Sequence, residues 1–187
     1  AKAVRYNTTK IFIMFMILAF VLSMFIDSIT VILFLAAITI TQSKLLQFDP
    51  IPVIIAEIFC SNLGGSSTMC GDPPNIIIGT ALHYTFTDFL TNTGVIAIIC
   101  LVLMIFFFYM CFRIKLGKRN LSEEEIEKMP TPQSAITNKR AFIISTVIFL
   151  CAVILLVTHG QTGLTVSTIG IIAAAATCIT AGKKSKA

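Results

Sequence analysis

Ser61-Asn62-Leu63-Gly64-Gly65-Ser66-Ser67-Thr68-Met69-Cys70-Gly71-Asp72-Pro73-Pro74-Asn75 interrupts an apolar run that begins at Ile51 and Pro52 and resumes as Ile76-Ile77-Ile78. Three glycines and two adjacent prolines stand in this stretch. Each costs roughly 1 to 3 kcal/mol in a helix interior, so one continuous helix from Ile51 to Leu82 is not expected. The residues predict a first half-helix over Pro52 to Asn62, a break, and a second half-helix. Asp72 at the N-cap and Pro73 at the first turn start that second half. A helix broken inside lipid bares backbone groups that only protein or water can satisfy, so the break marks a polar interior.

The flanking sequence supplies the lipid. Of the 187 residues, 56% are hydrophobic and 12% charged, with mean hydropathy +0.92. Soluble domains carry about 25% charged residues, so a soluble fold is disfavoured. Gly94 to Phe112, Ala141 to Thr158 and Gly163 to Ala181 are each long and apolar enough to span. Ile11 to Thr41 would form a helix of about 46 Å, well beyond the roughly 30 Å hydrocarbon layer, yet two full spans need about 40 residues. A re-entrant hairpin fits, with arms Ile11 to Ile26 and Val31 to Thr41 and the tip Asp27-Ser28-Ile29-Thr30. The expected fold is an all-α integral membrane protein: a re-entrant helical hairpin, a broken transmembrane helix and three full transmembrane helices.

The net charge of +5 is distributed as a membrane topology, not as a nucleic-acid surface. Lys2, Arg5 and Lys10, then Lys44, the stretch Arg113 to Arg140, and Lys183, Lys184 and Lys186 carry the basic charge. The polar turns His83 to Thr93 and His159 to Thr162 have none. By the positive-inside rule, the basic loops and both termini are expected in the cytoplasm. Leu121 to Lys128 reads as a surface helix capped by Ser122, with Glu125 completing a capping box, and Met129 to Asn138 reads as a linker. Six cysteines without metal-ligand spacing read as small buried hydrophobes, and no cofactor or metal is expected. The chain opens on Ala1 and reads as the continuation of a longer protein.

The break is also where chemistry is expected. Carbonyls at the end of the first half-helix favour a cation, and amides at the start of the second favour an anion. Asn62, Gly64, Gly65, Ser66, Ser67, Thr68, Asp72 and Asn75 are candidate substrate or ion ligands, with Asp27, Ser28 and Thr30 at the hairpin tip. A transient Na+ is expected at Ser28, Thr30, Asn62 and Ser66. Asp27, Glu57 and Asp72 are acids at membrane depth with no basic neighbour in sequence, which makes each a proton-coupling candidate. Plainer roles are helix capping for Asp72 and a place near the cytoplasmic interface for Glu57. Asp27 is the hardest of the three to explain without function.

The run Ser61 to Gly79, SNLGGSSTMCGDPPNIIIG, resembles the signature of the arsenite permease, sodium/proton antiporter D and P-protein group of the ion transporter superfamily, which also holds citrate and dicarboxylate carriers. Phe25-Ile26-Asp27-Ser28-Ile29-Thr30 is similar to that group's hairpin tip, with Ser28 in place of its usual Asn. The resemblance implies an elevator-like secondary transporter built from inverted repeats, of which this chain holds about half. Residues 1–118 would belong to the moving transport domain (hairpin 11–41, broken helix 51–82, span 94–112), 119–140 to a cytoplasmic surface helix and linker, and 141–187 to a scaffold (spans 141–158 and 163–181). It further implies a small inorganic ion as substrate, arsenite or antimonite in efflux or Na+ in exchange for protons, with a citrate or dicarboxylate carrier as the alternative. Expected partners are the bilayer, the remaining half of the transporter and a second copy of the complete protein, in a bacterial or archaeal cytoplasmic membrane. An intramembrane aspartyl protease using Gly71-Asp72 is the alternative of another class. Met69 stands where that motif needs glycine, and no histidine lies at membrane depth to activate Ser66, so no enzyme activity is expected.

Overall fold

The computed structural model describes residues 8–112 and 139–182. The expected surface helix at Leu121 to Lys128, the linker after it, and the basic residues Lys2, Arg5, Lys183, Lys184 and Lys186 lie outside the described residues. Among the described residues every regular element is helical. They fall into two compact units, divided between Glu127 and Lys128.

In the first unit, α1 (Thr8–Ser23) and α2 (Ser28–Leu46) are joined by Met24 to Asp27. The tip therefore lies three residues before the expected one, and Ser28, Ile29 and Thr30 already form the first turn of α2. Asp27 explains the shift: its carboxylate accepts from the Thr30 backbone N–H at 3.1 Å and caps the helix there. At the other end α2 runs past Thr41 to Leu46, and Gln47 closes it in the left-handed region at φ 55°. Next come α3 (Pro50–Ser66), capped by Asp49, and α4 (Pro73–Leu82), ended by His83 at φ 56°.

Thr85 and Asp88 form a capping box that starts α5 (Phe86–Phe89). A π-helical turn at Leu90–Gly94 then leads into α6 (Val95–Phe112). The stretch His83 to Thr93, read as a polar turn, is thus helical from Phe86 onward. The T-x-x-D pattern Thr85-Phe86-Thr87-Asp88 was the signal for it.

The contacts fix how these helices run. Gly64 abuts the Phe20 backbone, and the Thr68 hydroxyl donates to the Met24 carbonyl, so α1 and α3 end side by side and run parallel. Thr39 meets Glu57 in mid-helix while Ser28 meets Asp72 beyond the end of α3, so α2 runs antiparallel to α3. The hairpin α1–α2 therefore lays its tip beside the break.

The packed face of α1 carries Phe12, Phe15, Met16, Ala19 and Phe20, and that of α3 carries Val53, Ala56, Cys60 and Gly64, both at helical spacing. In lipid such helices associate through close packing rather than hydrophobic burial, and Ala19, Ala56 and Gly64 allow it. A Cβ on Gly64 would drive into the Phe20 carbonyl, with the Phe20 carbonyl carbon only 2.9 Å away. Phe59 against Phe108, with ring centroids 5.4 Å apart, fastens α6 to α3.

The second unit is a helix pair, α7 (Lys139–Thr162) and α8 (Val166–Gly182). Helix α7 absorbs His159 to Thr162, which were read as a turn, so the connection shrinks to Gly163–Thr165, with Gly163 at φ 71°. Among the described residues, three helical stretches are long and apolar enough to cross a membrane: Ser28–Leu46, Phe86–Phe112 and Lys139–Thr162. The last two contain expected spans. Ser28–Leu46 was read as a hairpin arm, and the helix answering to Gly163 to Ala181 has 17 residues, about 26 Å, slightly under the hydrocarbon thickness. All six cysteines are free thiols. Cys60 is buried as expected, whereas Cys111, Cys151 and Cys178 are exposed, which corrects their reading as buried residues.

Candidate functional site: the hairpin tip and the broken span

The break between α3 and α4 comes at Ser67 to Asp72, not at Asn62. Gly64 and Gly65 stay helical because the space beside them is taken: Gly64 by the Phe20 backbone, Gly65 by the Asp72 carboxylate. Here glycine serves close approach rather than a bend. Gly71 does likewise, lying against Gly65 and the Ser23 carbonyl.

The carbonyl end of α3 carries its own caps. Leu63 O accepts the Ser66 hydroxyl at 2.9 Å, and Gly64 O accepts the Ser67 hydroxyl at 2.6 Å and its backbone N–H at 3.1 Å. Asn75 donates its amide to both Gly65 O, at 3.1 Å, and Thr68 O, at 2.9 Å. Asn75 thus stitches the two half-helices together. Gly65 O and Thr68 O, two of the carbonyls at the break, already accept these bonds, which leaves them less to offer a cation. The amide end is reduced too, because Pro73 and Pro74 occupy the first two helical positions and carry no N–H.

Asp72 occupies the N-cap of α4 but makes no side-chain cap bond. Its carboxylate instead accepts the Ser28 hydroxyl at 3.0 Å. Hairpin and broken helix are joined a second time by Thr68, which donates to Met24 O and accepts from the Gly71 N–H at 3.1 Å. Asp72 is therefore the carboxylate that joins hairpin and broken span, and Asp27, one of the sequence's candidate ligands, caps α2. Among the described residues, the Asp27 carboxylate meets Thr30 through the backbone bond and a 3.4 Å hydroxyl contact. Asn62 and Ser66 are exposed on one face of α3 and bond to carbonyls of their own helix, Ile58 and Leu63. The four residues expected to share Na+ thus each have a partner already.

Glu57 stands apart from the junction. It is wholly buried at mid-α3, one carboxyl oxygen accepts the Thr39 hydroxyl, and the other has no partner among the described residues. Burying a carboxyl half-satisfied is expensive, which sets Glu57 apart as a functional candidate. Thr39 was not foreseen. Nothing in the sequence relates two residues 18 apart on different helices, although a buried acid does require a donor somewhere.

A second region, of mixed polar and apolar lining, opens at Asn75. A cavity of about 520 Å³ lies between the first turn of α4 and the π-helical turn, where Asn75, Tyr84, Asp88, Asn92 and Thr93 share the wall with Ile78 and Phe89. Thr93 and Gly94 pack on the break itself, the Thr93 hydroxyl reaching Ser67 O at 3.5 Å.

A helical membrane protein whose polar groups converge where a hairpin tip meets a broken span belongs to the class of polytopic membrane transporters. The particular family follows from sequence comparison: the model described as Citrate transporter matches residues 1–186, and the chain belongs to that family, within the ion transporter superfamily. The chain is similar to the P protein of Homo sapiens, 39% identical over 112 residues (57% of this chain, 13% of that protein). It is also similar to the magnetosome protein MamN of Paramagnetospirillum magneticum, 37% identical over 98 residues (52% and 22%). A third relative is an uncharacterized transporter of Mycobacterium tuberculosis, 32% identical over 105 residues (56% and 24%). The matches thus span a quarter or less of these relatives' own lengths. No solved structure matches.

Proposed function

We propose that the complete protein is a secondary active transporter of a small inorganic ion, moving arsenite or antimonite outward or exchanging Na+ for protons. The hairpin tip and broken span form half of its substrate site, Glu57 is its proton-linked carboxyl, and residues beyond this chain supply the other half. The observation that carries the reading is Glu57, an acid enclosed by protein with one oxygen unpartnered among the described residues. Such a group can exchange a proton when the helices around it rearrange. The Ser28–Asp72 and Thr68–Met24 bonds make hairpin and broken span one body, which suits a transport domain moving as a unit in an elevator. The basic loops are assigned to the cytoplasm, the protein to a bacterial or archaeal membrane, and the complete carrier to a homodimer.

A citrate or dicarboxylate carrier is the second reading, favoured by the description of the family model. Against it, no Arg or Lys lies between Ile51 and Leu82, and the helix amino end that could hold a carboxylate begins with Asp72 and two prolines. The test is flux in proteoliposomes containing the complete protein, with imposed pH gradients and Na+, arsenite or citrate in turn. Proton-coupled Na+ or arsenite flux that Glu57→Gln uncouples supports the first reading. Citrate flux indifferent to Glu57→Gln would replace it with the second.

A further inference from the structure

The cavity between Asn75 and the π-helical turn has a chemical bias that its residue names alone do not reveal. Its amide side chains have committed three of their four N–H donors: both of Asn75 Nδ2, to Gly65 O and Thr68 O, and one of Asn92 Nδ2, to Asp88 O at 2.8 Å. The Thr93 hydroxyl gives its proton to Phe89 O at 2.7 Å. Asp88 uses one oxygen, Oδ2, to accept the Thr85 N–H at 2.7 Å and the Thr85 hydroxyl at 2.8 Å, and no partner is seen for Oδ1 among the described residues. What these four side chains have left to offer a ligand is mainly oxygen lone pairs, from two amide oxygens, a hydroxyl oxygen and one carboxylate oxygen, beside a single Asn92 N–H. An anion would find the Tyr84 phenol and one Asn92 N–H as donors and a negative charge against it. A hard cation finds the donor set it prefers.

We propose that this cavity binds a hard monovalent cation of the Na+ class. Charge selects the valence, because one carboxylate among neutral oxygens balances one positive charge, while divalent cations usually gather more carboxylates. The π-helical turn puts Asn92 and Thr93 in a segment of altered helical register, a feature frequent at functional sites. Because Asn75 also ties α3 to α4, a cation drawn to its amide oxygen would hold the break in its stitched form. The inference deepens the ion-transport reading by placing a coupling cation, and its role in coupling rests on that reading. Binding itself does not, so the two can fail separately.

The test uses the complete protein, purified in detergent, and Na+ itself as the probe. Thermal unfolding is followed as NaCl replaces choline chloride at constant ionic strength, alongside equilibrium binding of radioactive Na+. A saturable rise in Tm with Na+ is expected. Asp88→Asn, which keeps an oxygen acceptor for Thr85 but loses the charge, and Asn92→Ala should each raise the half-saturating Na+ concentration at least about tenfold, equivalent to 1.4 kcal/mol. The readout is the Na+-dependent increment, so a lowered baseline Tm in either variant does not obscure it. Absence of saturable Na+ binding by the wild-type protein would overturn the proposal. So would an Na+ response that both variants retain in full, because the ion would then sit elsewhere.

Discussion

The buried pair Glu57 and Thr39 shows what one hydroxyl does in a low-dielectric interior. Removing the Thr39 hydroxyl while keeping its shape, as Thr39→Val, leaves Glu57 with neither oxygen bonded. A loss of about 1 to 3 kcal/mol is expected, read as a lower Tm of the complete protein in detergent. Replacing both partners by apolar residues, Thr39→Val with Glu57→Leu, should recover part of that loss, because no polar atom is then stranded. Simple additivity of the two variants would show that the hydroxyl and the carboxyl do not interact. Sequence alone picked out Glu57, because an acid in an apolar helix is conspicuous by its cost. It picked out Asp27 for the same reason, yet cost identifies a residue that needs a partner and does not say whether a ligand or a helix end provides it. For Asp27 the partner is the Thr30 N–H.

At the level of elements, the broken span was legible because Gly64, Gly65, Gly71, Pro73 and Pro74 crowd into so few residues. Where it breaks was not. Glycine's propensity is read as a tendency to unwind, yet Gly64 and Gly65 are helical and are small because Phe20 and Asp72 press on them. Gly64→Ala is therefore expected to be destabilising, by about 1 to 3 kcal/mol, despite alanine's better helix propensity, since backbone and not a flexible side chain stands in the way. A neutral or raised Tm would mean that α1 and α3 are not in contact there. Asn75 gives a complementary case. Asn75→Ala strands Gly65 O and Thr68 O, and hydrogen exchange of the amides around the break should accelerate even with no substrate present. Unchanged exchange with lost flux would instead make Asn75 a ligand and not a stitch.

Across the molecule, the two units differ in how much they bury. The helices of the first pack around α3, whereas α7 has no buried residue among its described side chains, and its apolar flanks suit lipid. For apolar residues lipid is sufficient. It is not for the face of α3 that exposes Asn62 and Ser66, one turn apart, next to the break. Their remaining hydrogen-bonding capacity, together with the open cavity at Asn75, requires either protein or water opposite. In a carrier whose site lies between two repeats, that opposite wall belongs to the second repeat, and the match to only a quarter or less of each relative leaves room for one. The 187 residues alone, reconstituted in liposomes, are accordingly expected to insert and form helix but to move neither Na+, arsenite nor citrate, while the complete protein moves its substrate under the same gradients. Flux through the isolated chain would mean that Asn62, Ser66 and Asn75 face a pathway this chain closes by itself or with a second copy, and the half-site reading would fall.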